Sequence, residues 1–177
     1  TKSVSPSTTT VYNVTGTDNE GCTGTASVSV AVSQNPVIVA TGSTICIGDN
    51  GNISASGADI YIWSNGMPNA NNSVSPVATT NYLVTGTDAA GCTGTASTSV
   101  IVNPLPIFTI NPVNQVCIYD NSISLEGAVN PAGGTYSGTG VSSNNFNPQT
   151  AGAGNNQVAY TYTDSNGCTN DTTVVVR

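Results

Sequence analysis

The 177-residue sequence has no histidine, only two basic residues, one methionine and one tryptophan. Without histidine there is no Ser–His or Cys–His pair to activate a nucleophile, and nine acids scattered mostly through turn-like segments make a poor general acid–base pair. No enzyme and no cofactor is expected. Lys2 and Arg177 are the only cations in a chain of net charge −7. The basic patches that displace counterions from nucleic acid are therefore missing, and so is any electrostatic pull toward an anionic membrane. Lys2 is the only lysine, which excludes a Lys–Asn cross-link inside every domain. No run approaches the roughly 18 apolar residues of a transmembrane helix, so membrane insertion is not expected. No charged-then-apolar signal peptide opens the chain, which reads as mature or as a fragment.

Charge as a whole is scarce. Charged residues make up 6% of the chain, against roughly a quarter in an average soluble protein. Thr, Ser, Asn, Gly and Val dominate instead. Disorder usually goes with few β-branched residues, and this chain is full of Val, Ile and Thr, so it reads as folded β structure.

The sequence repeats itself. TGTDNEGCTGTAS at 15–27 returns as TGTDAAGCTGTAS at 85–97, and more loosely as YTDSNGCTND at 162–171. Aligning the Gly-Cys-Thr triplets places Cys22, Cys92 and Cys168 in equivalent positions, 70 and then 76 residues apart. A fixed long period means repeated structural units. The match between the first two extends back to SVSP at 3–6 and 73–76 and forward to Pro36 and Pro104. Prolines at the junctions favour short, extended linkers. The expected units are 1–34, 35–104 and 105–177. The second and third carry an upstream half, TICIGDNGNISASGADIYIWSNG and QVCIYDNSISLEGAVNPAGGTYSG, that residues 1–34 lack.

Within each unit the apolar positions alternate. Ala26, Val28, Val30 and Val32 share one face, as do Val158, Tyr160 and Tyr162, and Ile60 and Ile62 alternate with Tyr61 and Trp63. This is the period of strands, and no segment keeps a helical one. Turn signals separate them: Asp49-Asn50-Gly51, Ser64-Asn65-Gly66, Ala132-Gly133-Gly134 and Asp164-Ser165-Asn166-Gly167. Many short strands at such spacing predict tandem immunoglobulin-like β-sandwiches, the first incomplete.

A sandwich of about 70 residues buries only about 60% of its unfolded surface and gains from a covalent staple. The five cysteines supply candidates. Cys46 with Cys92, and Cys117 with Cys168, are the two cysteines of each complete unit, and Cys22 is left unpaired or intermolecular. Loops of 46 and 51 residues closed this way would contribute about 4 kcal/mol each in the chain-entropy model, in an oxidising compartment. One difficulty is topological: a conventional immunoglobulin path puts the two cysteines of a unit at opposite ends of the sandwich. Bridges between adjacent units are the alternative, with buried free thiols a third. Without histidine, and at these spacings, zinc is excluded.

Two runs, TTNYLVTGTDAAGCTGTASTSVIVNPLP and PAGGTYSGTGVSSNNFNPQTAGAGNNQVAYTYTDSNGCTN, resemble the immunoglobulin-like and PKD-like repeats of very large surface proteins of Bacteroidetes bacteria that use type IX secretion. The resemblance covers nearly the whole chain. It implies a β-sandwich fold, an extracellular or cell-surface location, and service as stalk, adhesin or filament, and it transfers no binding residue. That family's C-terminal sorting domain is not among these residues. For Asp171-Thr172-Thr173, the resemblance implies O-glycosylation at Thr172.

Other candidates read first as architecture. Trp63, 17 residues after Cys46 and 29 before Cys92, matches the buried Trp of immunoglobulin sandwiches, with a sugar-stacking Trp as the alternative. Tyr12, Tyr82 and Tyr160 stand where a tyrosine corner pins a loop. Asp49-Asn50-Gly51-Asn52 and the 164–167 turn resemble pieces of calcium loops but lack the terminal bidentate Glu, and turn chemistry explains them better. Asn-X-Ser/Thr triplets at Asn13, Asn52, Asn71 and Asn170 are nearly unavoidable in this composition.

The expected function is a structural repeat segment of an extracellular filament or surface stalk. Its partners would be neighbouring repeats or other copies of the chain, with strands of a neighbour completing 1–34 by β-augmentation unless the boundary there is arbitrary. The alternatives are an adhesin or carbohydrate-binding accessory module, and a passive spacer.

Overall fold

A computed structural model describes residues 1–177. Residues 1–34 form two strands, β1 (Thr10–Thr17) and β2 (Thr23–Val30). Residues 35–104 form β3 (Val39–Thr41), β4 (Thr44–Cys46), β5 (Gly51–Ser56), β6 (Ile60–Trp63), β7 (Asn71–Val74), β8 (Thr80–Thr87) and β9 (Thr93–Asn103). Residues 105–177 begin with β10 (Thr109–Ile110), β11 (Ile123–Ser124), β12 (Val129–Asn130), β13 (Thr135–Ser137), β14 (Val141–Ser142) and β15 (Asn145–Phe146). A single helical turn, α1 (Pro148–Ala151), precedes the long pair β16 (Asn156–Thr163) and β17 (Thr169–Val176). The chain is all-β apart from α1, a helix that the alternating pattern did not announce. Asn147 caps it by accepting the Thr150 N–H, and Pro148 occupies its first turn, where no N–H is needed.

Packing divides the chain into two compact units. One comprises Thr1–Ser43, Asn52–Val74 and Asn81–Val100, and the other Thr44–Gly51, Ser75–Thr80 and Ile101–Arg177. Sequence repeats and compact units are thus different divisions, since residues 35–104 contribute to both.

In the first compact unit, β1 and β2 pair antiparallel from Thr10 opposite Val30 to Thr17 opposite Thr23, as a sheet of two strands. β5 lies between β3 and β7, and β8 lies between β6 and β9. These sheets bury Ile53 and Val74 from one side and Tyr61, Trp63, Tyr82, Val84 and Val100 from the other. In β6 the alternation turns Tyr61 and Trp63 inward and leaves Ile60 and Ile62 exposed. Both aromatics can be buried because their polar tips find partners. Trp63 Nε1 donates to the Asn69 carbonyl at 2.8 Å, and the Tyr61 hydroxyl donates to the Ala58 carbonyl at 2.7 Å.

In the second compact unit, β4 runs parallel to the end of β9, with Cys46 opposite Asn103. β16 pairs with both β13 and β17, β15 lies between β11 and β14, and β10 pairs with β12. Leu125, Phe146, Val158 and Val176 form one buried cluster, and Val129, Tyr160 and Val174 form another. The Tyr160 hydroxyl accepts the Gly134 N–H and donates to the Pro131 carbonyl, both at 2.7 Å, tying the 131–134 loop to β16. Phe108 meets its ring edge-on at 5.9 Å.

Candidate functional site

The Gly-Cys-Thr loop is built three times from the same bonds. Asp18, Asp88 and Asp164 each accept the N–H of the cysteine four residues on through Oδ1, at 2.9 Å in every copy. The same oxygen accepts the N–H two residues on, from Glu20, Ala90 and Asn166. The aspartate N–H in turn donates to the cysteine carbonyl at 3.0, 3.0 and 2.9 Å. Gly21, Gly91 and Gly167 have φ of 86°, 83° and 82°, a left-handed turn that a side chain would strain. The sequence dictates one loop geometry whatever becomes of the thiol.

A second cysteine-bearing turn occurs twice. Asp49 N–H donates to the Cys46 carbonyl at 3.0 Å, and Asp120 N–H donates to the Cys117 carbonyl at 2.9 Å. Each follows a segment lying beside the end of the last strand of its repeat. Ile45 stands opposite Val102 in β9, and the Val116 N–H donates to the Arg177 carbonyl just beyond β17.

The structure joins Cys46 to Cys168, 122 positions apart in sequence with Cα atoms 5.5 Å apart, and leaves Cys22, Cys92 and Cys117 as free thiols. This corrects the pairing of Cys46 with Cys92 and of Cys117 with Cys168. Strand length is the physical reason. Cys168 immediately precedes the eight residues of β17, whereas Cys117 lies beside its far end. Eight residues at about 3.3 Å each put roughly 26 Å between cysteines that must approach within about 7 Å. In the preceding repeat the eleven residues of β9 separate Cys92 from the residue opposite Cys46 in the same way. The linker brings the observed pair together: Asn103 lies opposite Cys46, and three residues later the Pro106 carbonyl accepts from Asn170 Nδ2, two residues past Cys168. The bridge runs from the upstream cysteine of one repeat to the loop cysteine of the next, the alternative that the topological difficulty left open.

Equal sequence does not bring equal burial. Tyr82, Val84 and Val100 are core residues in β8 and β9, while Val14, the counterpart of Val84, is 63% exposed in β1. Val28, on the same face of β2 and opposite Tyr12, is also 63% exposed. The glycines tell the same story. A Cβ on Gly86 would strike the Ile38 side chain and one on Gly94 the Pro36 carbonyl, whereas Gly16 and Gly24 have nothing within 4 Å. Residues 36–38 lie over the second hairpin at these glycines, and no atom approaches the corresponding glycines of the first.

Trp63, Tyr82 and Tyr160 are buried, and Tyr12 is half-buried in β1. A tyrosine hydroxyl pins a loop at Tyr160 and also at Tyr61, which sequence reasoning did not single out although its alternation with exposed Ile60 and Ile62 was visible. Thr172 is half-buried in β17, opposite Tyr160. The Asp164 carboxylate is engaged by backbone N–H groups, and the Asn50 amide oxygen accepts from Ser75. No group of three or more His, Cys, Asp or Glu side chains stands together to hold a metal. Burial raises the Tyr136 phenol above its ordinary value of 10.0, against the lowering effect of the Val129 N–H that it accepts. No helix is long and apolar enough to cross a membrane.

No protein-family model matches the chain. No curated protein matches it in sequence. Solved structures show distant likenesses. A Ca2+-stabilized adhesin that helps an Antarctic bacterium reach out and bind ice is 18% identical with a TM-score of 0.44, over 96% of this chain and 56% of that one. A 1.5-MDa bacterial ice-binding adhesin is 17% identical with a TM-score of 0.40, over 92% of this chain and 71% of that one. Extracellular cadherin domains 1–4 of protocadherin gamma B7 are 14% identical with a TM-score of 0.30, over 97% of this chain and 57% of that one. The chain thus spans little more than half of the first of these. Identities and scores this low transfer no residue and no activity.

Proposed function

We propose that this chain is a structural repeat segment of an extracellular filament or cell-surface stalk, organised as repeats 1–34, 35–104 and 105–177. In the assembled form, strands of a neighbouring chain cover the open face of the β1–β2 hairpin. One observation carries the reading: Val14 and Val28 stand exposed on a hairpin whose sequence twin, β8–β9, forms half of a core. Covering such a face removes apolar surface from water at about 25 cal/mol per Å2, and the unpaired edges of a two-stranded sheet accept further strands.

The Cys46–Cys168 bridge supports an oxidising, extracytoplasmic location. Export by type IX secretion from a Bacteroidetes cell rests on the resemblance of the repeats. A carbohydrate-binding adhesin is the alternative, and no observation favours it, because Trp63, Tyr82 and Tyr160 lie in the core rather than on a sugar-facing surface.

Electron microscopy of the native, unreduced protein at rising concentration tests the proposal. Regular filaments whose axial repeat matches a whole number of sequence repeats are the expected result. Particles of single-chain size at every concentration would overturn it.

A further inference from the structure

The Cys46–Cys168 bond brackets the core of both compact units. Every buried hydrophobic residue except Cys168, Val174 and Val176 lies between the two cysteines in sequence, including Ile53, Trp63, Val84, Leu125, Phe146 and Tyr160. Outside the bracket, no residue from 1 to 46 is buried. From this we infer that the bond is a load clamp: when the chain is pulled lengthwise, tension crosses from Cys46 to Cys168, and residues 47–167 stay off the path that carries it.

The path follows from connectivity and holds whatever chain precedes Thr1 or follows Arg177. A pull toward the N-terminus loads residues 1–46, and a pull toward the C-terminus loads residues 168–177. Two covalent routes join these segments. The bond spans Cα atoms 5.5 Å apart, whereas the backbone from Cys46 to Cys168 could extend to about 40 nm at roughly 3.3–3.6 Å per residue. The short route draws taut first, and the long one stays folded and slack.

The loaded segments suit this division. β1 and β2 pair only with each other, and Thr10 and Val30 form the open end of the hairpin, where the chain enters and leaves. Tension there opens the pairs one after another from that end, with no packed core to break. β3 and β4, the other strands before the bond, have three residues each. On the C-terminal side, β17 begins one residue after Cys168, so tension runs along a strand that is already extended and lengthens it little. Val174 and Val176 seat that strand against the core. The chain thus yields before Cys46 and is stiff beyond it.

The competing account is that the sheets themselves resist the pull. Without the bond, the same pull would draw β4 away from β9 and β17 away from β16, and would open the clusters that join Val158 to Val176 and Tyr160 to Val174. Forced opening of such contacts is set by the unfolding barrier. A covalent bond across the same two points removes that barrier from the load path.

The inference rests on the stalk or filament reading only for the source of the pull, and its test needs no assembly. The full chain, bearing a peptide tag at each end, is tethered as single molecules and stretched before and after a phosphine reductant is added. The oxidised chain is expected to lengthen by at most about 15 nm, the reach of residues 1–46, and the reduced chain by about 40 nm more, at forces that the oxidised chain withstood. Cys46→Ser is expected to show the longer extension without reductant, and Cys92→Ser to behave as the parent. A gain of about 40 nm from the oxidised chain would overturn the inference. So would a reduced chain that keeps the oxidised length until the tether breaks, since the sheets would then bear the load. If Cys46→Ser fails to fold, reduction of the same tethered molecule still decides between clamp and sheets. Filaments built from a chain without this limit would keep the filament reading and reject the clamp; clamped chains that never assemble would do the reverse.

Discussion

Asp164 Oδ1 accepts the backbone N–H of Cys168 at 2.9 Å, the distance at which Asp88 holds Cys92 and Asp18 holds Cys22. The carboxylate also takes the N–H two residues on, so its removal loosens a whole hairpin loop. Asp88→Ala is expected to cost about 1–2 kcal/mol in urea denaturation. Asp18→Ala, in a hairpin without a packed face, is expected to leave the midpoint of the cooperative transition unchanged.

The Cys46–Cys168 bond closes a span of 122 residues. In the chain-entropy model a loop of that length contributes about 5 kcal/mol. Reduction, or Cys46→Ser, is therefore expected to lower the denaturation midpoint, while Cys92→Ser leaves it within error. A non-reducing peptide map recovering Cys46 linked to Cys92 would reject this connectivity.

Val14 and Val84 make a controlled pair: sequence neighbours that match, one 63% exposed and the other fully buried. Val84→Ala is expected to destabilise the chain by about 1–3 kcal/mol through lost burial and a residual cavity. Val14→Ala is expected to fall within about 0.5 kcal/mol of the parent, as exposed substitutions do. Val14→Asp, equally harmless to the isolated chain, should prevent filament formation. Filaments of normal yield from Val14→Asp would separate assembly from the hairpin face.

Trp63 is the only tryptophan and is 1% exposed, so its fluorescence reports on the first compact unit. Native emission should be blue-shifted and should move to the red on unfolding. Trp63→Phe should cost more than lost area alone, because the Asn69 carbonyl loses the Nε1–H donor that it receives at 2.8 Å.

The Tyr136 phenol gives a pH signature. Its folded value is raised above 10.0, so the folded state holds that proton more tightly than the unfolded chain does. The associated stability is complete below about 10 and is lost as pH rises through the folded value. Denaturation midpoints should therefore fall above about pH 10, more steeply in the parent than in Tyr136→Phe. Equal slopes for the two proteins would show that this phenol does not contribute.

Local chemistry was largely legible in the sequence. Ala26, Val28 and Val30 alternating with Ser27 and Ser29 make a strand wherever they are placed, and Asp-X-X-Gly-Cys makes the same five-residue loop three times because its bonds are all internal to it. The position of Tyr61 as a loop-pinning residue could have been found from its alternation with Ile60 and Ile62. The turn at Pro148–Ala151 was missed because four residues are too few to display a helical period.

The sequence by itself determined the all-β character, the three-fold repeat and the poverty in catalytic groups, because these follow from side-chain periodicity, turn chemistry and composition. It could not decide which cysteines meet. That depends on the distance a strand spans: the eight residues of β17 hold Cys168 away from Cys117, while the linker through Pro106 delivers Cys168 to Cys46. Nor could it decide that Val84 is core and Val14 is surface. Burial belongs to whatever strands lie opposite, and identical residues acquire opposite roles when one hairpin has that cover and the other does not.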